Sequence, residues 1–304
     1  MSLGTMLCDG HQPEDIAFTF VDAELGATNL SYGELRDRSE RFAAALVELG
    51  VDPGNRVATL MGKSAALVAA IVGTLRCGAA YVPLFTAFGP GAAATRLLGG
   101  EVKVVVVDVD QRAKLLPSAD IPADPPWTVI VRGGSDVPGD LDLDDLLGRT
   151  APRLSTRAVG GDEALLLLFT SGTTGPPKGV ELPVRALAGF VAYLDFGLDL
   201  RDDDVYWNAV GPGWAYGLYY AIIAPLAAGQ ALRTPQTPSC RRRSDVIRAP
   251  SAQLVEADLT GADLSDTRGR PRRRTGQSGR GHLGSDDPRG DPCTPVGRIA
   301  NQSR

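Results

Sequence analysis

EALLLLFTSGTTGPPKGVELP, residues 163–183, contains the two features around which the rest of the chain can be organised. Its first part, EALLLLF (163–169), is short, continuously apolar and bounded by Gly161 and Ser171, the pattern of a strand buried on both faces. The strand delivers a loop that cannot be helical. In that loop Gly172, Gly175 and Gly179 are expected to take positive φ and let a ligand approach the backbone closely. Ser171, Thr173 and Thr174 supply hydroxyl donors, and Lys178 adds a mobile ammonium. Such an inventory suits a polyphosphate.

Two other readings of the loop compete with this one. The Walker A pattern G-x-x-x-x-G-K-[ST] fails at two positions, because Pro177 precedes Lys178 and Gly179 follows it. An ordinary surface turn draws on the same residue types, and only the order of residues argues against it.

Outward from this stretch, strand and helix patterns alternate. Residues 31–49 read as a helix capped by Ser31, with Glu34 reaching back from the third helical position. Leu35, Phe42, Leu46 and Leu49 share one face of it, and Gly50 with Pro53 ends it. RVATLM (56–61) reads as strand, 63–76 as helix, AYVPLF (80–85) as strand, and 90–98 as a helix starting at its proline. VKVVVVD (102–108) and WTVIV (127–131) are β-branched strands. After the loop, 183–196 reads as helix, DVYWNAV (204–210) as another buried strand and 216–228 as helix, with the Gly-Pro-Gly at 211–213 marking the turn. The alternation predicts an α/β fold, with largely parallel sheets and helices on both faces. Ligands in such sheets lie beyond strand carboxyl ends, so the loops at 170–179 and 211–217 are expected to face one cleft.

Composition narrows the function classes. The longest apolar stretch, 65–85, is interrupted by Arg76 and small residues, so no membrane span is expected, and the first residues lack the basic start and apolar core of an export signal. Cys8, Cys77, Cys240 and Cys293 are scattered without metal-ligand spacing, and no metal residue is assigned. A reducing cytoplasm is the setting these features suggest. The net charge of −5 conceals an asymmetry. Residues 235–304 hold 13 arginines, no lysine and 8 acids, a net of +5, against −10 for the remainder. That segment also lacks Phe, Trp, Tyr and Met, which leaves little apolar surface to offset the entropy of ordering it.

TSGTTGPPKG (170–179) resembles throughout the phosphate-binding signature of the adenylate-forming (AMP-binding) enzymes, the superfamily of acyl-CoA synthetases, luciferases and peptide-synthetase adenylation domains. YWNAVGPGWAYGLYYAIIAPLAAG (206–229) is similar to the segment of acetyl- and medium-chain acyl-CoA synthetases that carries a Gly-Trp pair and then a helix. Upstream, SYGELRDRSERFAAAL, GVDPGNRVATLM, GAAYVPLF and FGPGAAATRL follow the same family in order, so that the resemblance spans roughly 14–234. It implies a two-step reaction: a carboxylic acid attacks the α-phosphate of ATP, with Mg²⁺, to give acyl-AMP and pyrophosphate, and coenzyme A then displaces AMP. It also implies roles for particular residues. Thr170, Ser171, Gly172, Thr173, Thr174, Gly175 and Lys178 would hold the phosphates, Lys178 adding charge, while Trp214, Ala215, Tyr216 and Gly217 would line the acyl pocket. For Tyr219 and Tyr220 core packing is the preferred reading. Many relatives carry an acid at the position of Gly211, and a His or Thr near Leu182 and Pro183. These departures leave the subgroup open.

Past Arg233 the sequence contains no Y-G-x-T-E or T-G-D segment, which in the family contact adenine, Mg²⁺ and ribose, and no adenylation lysine of a carboxyl-terminal domain. The expectation is a partial AMP-binding domain over 1–234, followed by a disordered Arg/Gly/Pro-rich tail over 235–304. The tail is read first as out-of-frame sequence or a gene remnant. It is read second as a basic segment for nucleic acid, through RGRPRRR (268–274) but without aromatics to stack bases. A third reading, two pentapeptide units in ADLTGADLSD (257–266), is too short to stack into a coil. The chain is then a truncated acyl-CoA synthetase, or a non-catalytic remnant with at most weak nucleotide binding. Acid-dependent pyrophosphate release separates the two.

Overall fold

The computed structural model describes residues 1–22, 26–148, 153–170, 177–200, 206–208 and 210–228, and the backbone of 253–255. After a π-helical turn at Thr5–Asp9, β1 (Ile16–Val21) pairs antiparallel with β2 (Ala27–Ser31). Ser31 then opens α1 (Tyr32–Glu48) through a complete capping box. Its hydroxyl accepts the Glu34 N–H at 3.1 Å, and the Glu34 carboxylate accepts the Ser31 N–H at 3.1 Å. Two orphan donors of the first turn are thereby satisfied. Leu35, Phe42 and Leu46 are buried along the expected face, and Gly50, at φ +78°, turns the chain out of the helix. Replacing Ser31 with alanine is expected to cost about 1 kcal/mol of stability, read as a lowered urea midpoint. An unchanged midpoint would mean that packing alone fixes this helix start.

Strands and helices then alternate as the sequence predicts: β3 (Arg56–Leu60), α2 (Ala65–Arg76), β4 (Ala80–Pro83), α3 (Pro90–Gly99) and β5 (Val102–Asp108). A 3₁₀ segment at Val109–Leu115 leads to β6 (Thr128–Arg132), β7 (Leu141–Asp142) and α4 (Leu143–Gly148). The chain continues as β8 (Ala164–Thr170), β9 (Lys178–Pro183), α5 (Ala186–Phe196), β10 (Trp207–Asn208), α6 (Ala215–Leu218), a π-helical turn at Tyr219–Ile223, α7 (Ala224–Ala228) and β11 (Gln253–Val255). Seven strands form one sheet in the order β7-β6-β5-β3-β4-β8-β9, parallel except for β9, and a smaller sheet has the order β10-β11-β1-β2.

The central strands are buried on both faces, and their residues alternate between two cores. Val57, Tyr81, Val104 and Ile130 point to the side of α1 and α2, while Ala58, Val82, Val105 and Val131 point to the side of α3. This period of two within an unbroken apolar run explains why the run itself carried no face information. Among the described residues no helix is long and apolar enough to cross a membrane.

Three sequence expectations are corrected. The run 163–169 is not buried along its whole length: Leu165, Leu166 and Leu167 are, but Leu168 and Phe169 are only partly covered, because the neighbour is β9, a sheet-edge strand whose first four residues are exposed. β9 was read as loop and helix start, and the helix begins at Ala186 because the edge of β8 captures KGVELP as an antiparallel partner. Of the expected strand 204–210, residues 206–208 and 210 are described and only Trp207–Asn208 is strand, with Trp207 exposed because β10 is the outer strand of the smaller sheet. The helix expected at 216–228 is present but passes through a π-turn before Pro225, which brings no N–H to the ladder. Apart from the strand Gln253–Val255, the segment read as a tail lies outside the described residues.

Candidate functional site

The hairpin that closes the Gly/Ser/Thr loop is formed by β8 and β9, with Thr170 directly opposite Lys178. The Thr170 hydroxyl donates to the Lys178 carbonyl at 3.4 Å, tying the base of the loop, and both residues are exposed. Ser171, Gly172, Thr173, Thr174 and Gly175 lie outside the described residues. Gly179 does not take the positive φ expected of it. Its reason is space: a Cβ there would stand 3.1 Å from the Leu167 side chain across the hairpin.

The second loop leaves β10, in the other sheet, yet it packs at the same edge. β4 and β8 are parallel neighbours with Tyr81 opposite Leu166, so the chain leaving β4 at Phe85 emerges at the edge where Thr170 ends β8. A Cβ on Gly213 would lie 2.5 Å from the Phe85 Cα, and one on Gly211 would lie 3.6 Å from the Phe85 ring. At 213 only glycine permits this approach, whereas a Cβ at 211 would make ordinary contact. Trp214 then caps α6, and its indole leans on the Phe85 ring with centroids 5.4 Å apart.

Trp214 is 54% exposed and Tyr216 40% exposed, Ala215 is partly covered, and Gly217 is buried beneath the 210–211 backbone. Tyr216 meets the Tyr220 ring edge-on at 4.9 Å, and Tyr220 in turn lies against Tyr193 of α5 at 4.5 Å. Burial, and then the neighbouring phenols, raise the Tyr216 pKa, so it stays a neutral donor near pH 7. Tyr206, hydrogen-bonded by the Asn208 amide at 3.0 Å, is pushed up to about 12 by burial. Tyr219 stacks on Phe190 at 4.2 Å, in keeping with its reading as a packing residue, whereas Tyr220 sits against Tyr216 and Tyr193. Lys63, in the loop after β3, donates to the Asn208 carbonyl at 3.3 Å and links β10 to the larger sheet.

Sequence reasoning missed Phe85 and Tyr193. Phe85 was absorbed into an apolar strand pattern and Tyr193 into a helix, and neither position bears a motif. Among the described residues no three His, Cys, Asp or Glu side chains converge to hold a metal ion.

The fold is an α/β architecture in which the 210–217 segment of the smaller sheet rests on Phe85, at the carboxyl end of β4 in the larger one. The family model for AMP-binding enzymes matches residues 9–252, and the chain belongs to that family. The match continues past Arg233, where the recognisable motifs end. Acetyl-coenzyme A synthetase of Bacillus subtilis (strain 168) is 33% identical over 217 residues, covering 70% of this chain and 37% of the relative. That of Streptomyces coelicolor (strain ATCC BAA-471 / A3(2) / M145) is 31% identical over 253 residues, covering 77% and 39%. The crystal structure of an acyl-CoA synthetase from Brucella canis superposes with a TM-score of 0.69 at 37% identity, over 75% of this chain and 42% of that one. A benzoate CoA ligase from Burkholderia xenovorans LB400, at TM-score 0.65 and 22% identity, shares the fold over 84% of this chain and 46% of its own. The chain thus spans well under half the length of the relatives it matches.

Proposed function

We propose that this chain carries the phosphate-gripping and acid-holding parts of a site for ATP-dependent activation of a short or medium carboxylic acid, and that it is a truncated form of a longer, cytoplasmic acyl-CoA synthetase. In the complete reaction the carboxylate oxygen attacks the α-phosphorus of ATP, the bond to the β-phosphate oxygen breaks, and acyl-AMP and pyrophosphate result. Coenzyme A then attacks the acyl carbon and AMP departs. A carboxylate is already ionised near neutral pH, so the first step needs no protein base. What it needs is alignment and neutralisation of the charge that grows on the leaving phosphates.

The observation that carries this reading is the hairpin register of Thr170 against Lys178, one strand away from the Phe85 edge on which the aromatic loop rests. Thr170, Ser171, Thr173 and Thr174 would donate hydroxyls, and Gly172 and Gly175 backbone amides, to the β- and γ-phosphates. Lys178 would add a charge-assisted contact. Residues 1–234 supply the ligand-binding groups in this proposal, and within 235–304 the strand β11 pairs with β10 and β1.

The test is nucleotide binding to the full 304-residue chain, measured by displacement of a fluorescent ATP analogue. Lys178→Ala is expected to weaken ATP binding about tenfold, the equivalent of roughly 1.4 kcal/mol, close to the lower end of what a hydrogen bond to a charged group contributes. Because Lys178 is exposed on an edge strand, the variant should keep its fold. Equal affinity in the two proteins would place ATP elsewhere.

A further inference from the structure

We propose that the acid taken at this site carries an apolar tail larger than the single methyl of acetate, and that Phe85 is the positioning residue that fits the site to that tail. The proposal names the substrate class of the same site and so rests on the acid-activating reading.

Two large aromatic side chains, Trp214 and Tyr216, stand exposed within three residues of one another at the start of α6. Isolated exposed aromatics need no explanation, but these two are buttressed from behind. Trp214 leans on Phe85 at 5.4 Å with its plane tilted 55°. Phe85 in turn meets Phe88 edge-on at 5.8 Å, and the Arg96 guanidinium covers Phe88 at 4.0 Å from its ring centre. Tyr216 is backed by Tyr220 at 4.9 Å, and Tyr220 by Tyr193 at 4.5 Å. The backbone between the two rings is fixed as well, by the close approach of Gly213 to Phe85 and of Gly217 to the Gly211 carbonyl. Aromatic rings buttressed in this way, and left uncovered by the other described residues, form a preorganised apolar surface, which binds without first losing rotamer freedom.

That surface adjoins the edge where Thr170 and Lys178 close the phosphate hairpin. An acid bound with its carboxylate toward the hairpin directs its tail toward Trp214 and Tyr216. Acetate has one methyl group beyond its carboxylate and would leave most of the aromatic surface wet. Each further methylene buried is worth about fourfold in affinity, so a six-carbon acid gains on the order of a hundredfold over acetate. Alkyl and aryl tails share this chemistry.

The experiment uses the full chain with Trp207 replaced by Phe, so that Trp214 is the exposed indole reporting while Trp127 stays buried. Acetate, hexanoate and benzoate are titrated against tryptophan emission, and ATP affinity is measured separately by analogue displacement. Hexanoate or benzoate should half-saturate at a concentration about a hundredfold below acetate. Whichever of the two binds more tightly identifies the tail as alkyl or aryl. Phe85→Ala should shrink the preference over acetate at least tenfold, because Trp214 loses its backing. Phe88→Leu, which keeps the Phe85 ring but removes its edge contact, should shrink it less and serves if the first variant does not fold. Equal half-saturation by acetate and hexanoate, or a size preference untouched by both variants, overturns the proposal. With ATP binding intact and sensitive to Lys178, such a result sinks only the tail assignment. Loss of that sensitivity sinks the acid-activating reading itself.

Discussion

Arg76→Ala is expected to destabilise the protein by about 3–5 kcal/mol, the cost of leaving a buried charge without its partner. Arg76 ends α2 with 0% of its surface exposed. Its Nε donates to the Ser39 hydroxyl of α1 at 2.8 Å, its Nη1 to Asp9 at 2.9 Å and to the Ser155 carbonyl, and its Nη2 to the other Asp9 oxygen. One guanidinium therefore joins the N-terminal turn, both long helices and the segment before β8. Truncation strands the Asp9 carboxylate, whose side chain is only 10% exposed, and removes a donor from the Ser155 carbonyl. Arg36 lies 3.8 Å from Asp9 but is half exposed and engaged with Glu40, so it is a poor substitute. Urea unfolding of Arg76→Ala, Asp9→Ala and the double variant gives the coupling. The double variant should be more stable than Arg76→Ala, since removing both charges costs less than orphaning one. A loss below about 1 kcal/mol for Arg76→Ala would mean that Asp9 finds water when its partner goes.

Gly217→Ala is the second large effect, and it falls on the site. A Cβ at this position would lie 2.3 Å from the Gly211 carbonyl oxygen and 2.6 Å from that of Val210, and neither backbone atom can move aside as a side-chain tip would. The start of α6 must back away from the 210–211 turn, at a cost of about 1–3 kcal/mol by analogy with overpacked cores. The displaced helix carries Trp214 and Tyr216 with it. Acid-dependent quenching should weaken more than tenfold while ATP binding stays near that of the parent chain, the opposite of the Lys178→Ala pattern. Equal loss of both ligands would indicate general unfolding and remove Gly217 from any specific account of the loop.

How far the sequence could be read depended on how local each signal was. The capping box at Ser31, the turn at Gly50, the proline at the head of α3 and the β-branched run of β5 involve residues within a few positions of one another, and each lies at or within a residue or two of where the patterns put it. KGVELP was unreadable as a strand because its glycine and proline have loop preferences. Its β geometry comes from hydrogen bonds offered by β8, a partner that propensity does not see. β10 was legible as extended, but not as an edge strand of a different sheet. In the candidate site, the hydroxyls, the glycines and Lys178 showed themselves through spacing, while Phe85 and Tyr193 carry no motif and matter only through what they lean against.

The residues alone therefore determined the α/β alternation, the loop chemistry at 170–179 and the family likeness, because hydrogen bonding and hydrophobic period act over short stretches of chain. Tertiary structure decided which strands became edges, how β9 closed the hairpin opposite Thr170, and that a loop from the smaller sheet came to rest on Phe85 at the edge of the larger one. The last of these depends on contacts between residues more than a hundred positions apart, and all of them on surfaces that gain free energy only when they leave water together.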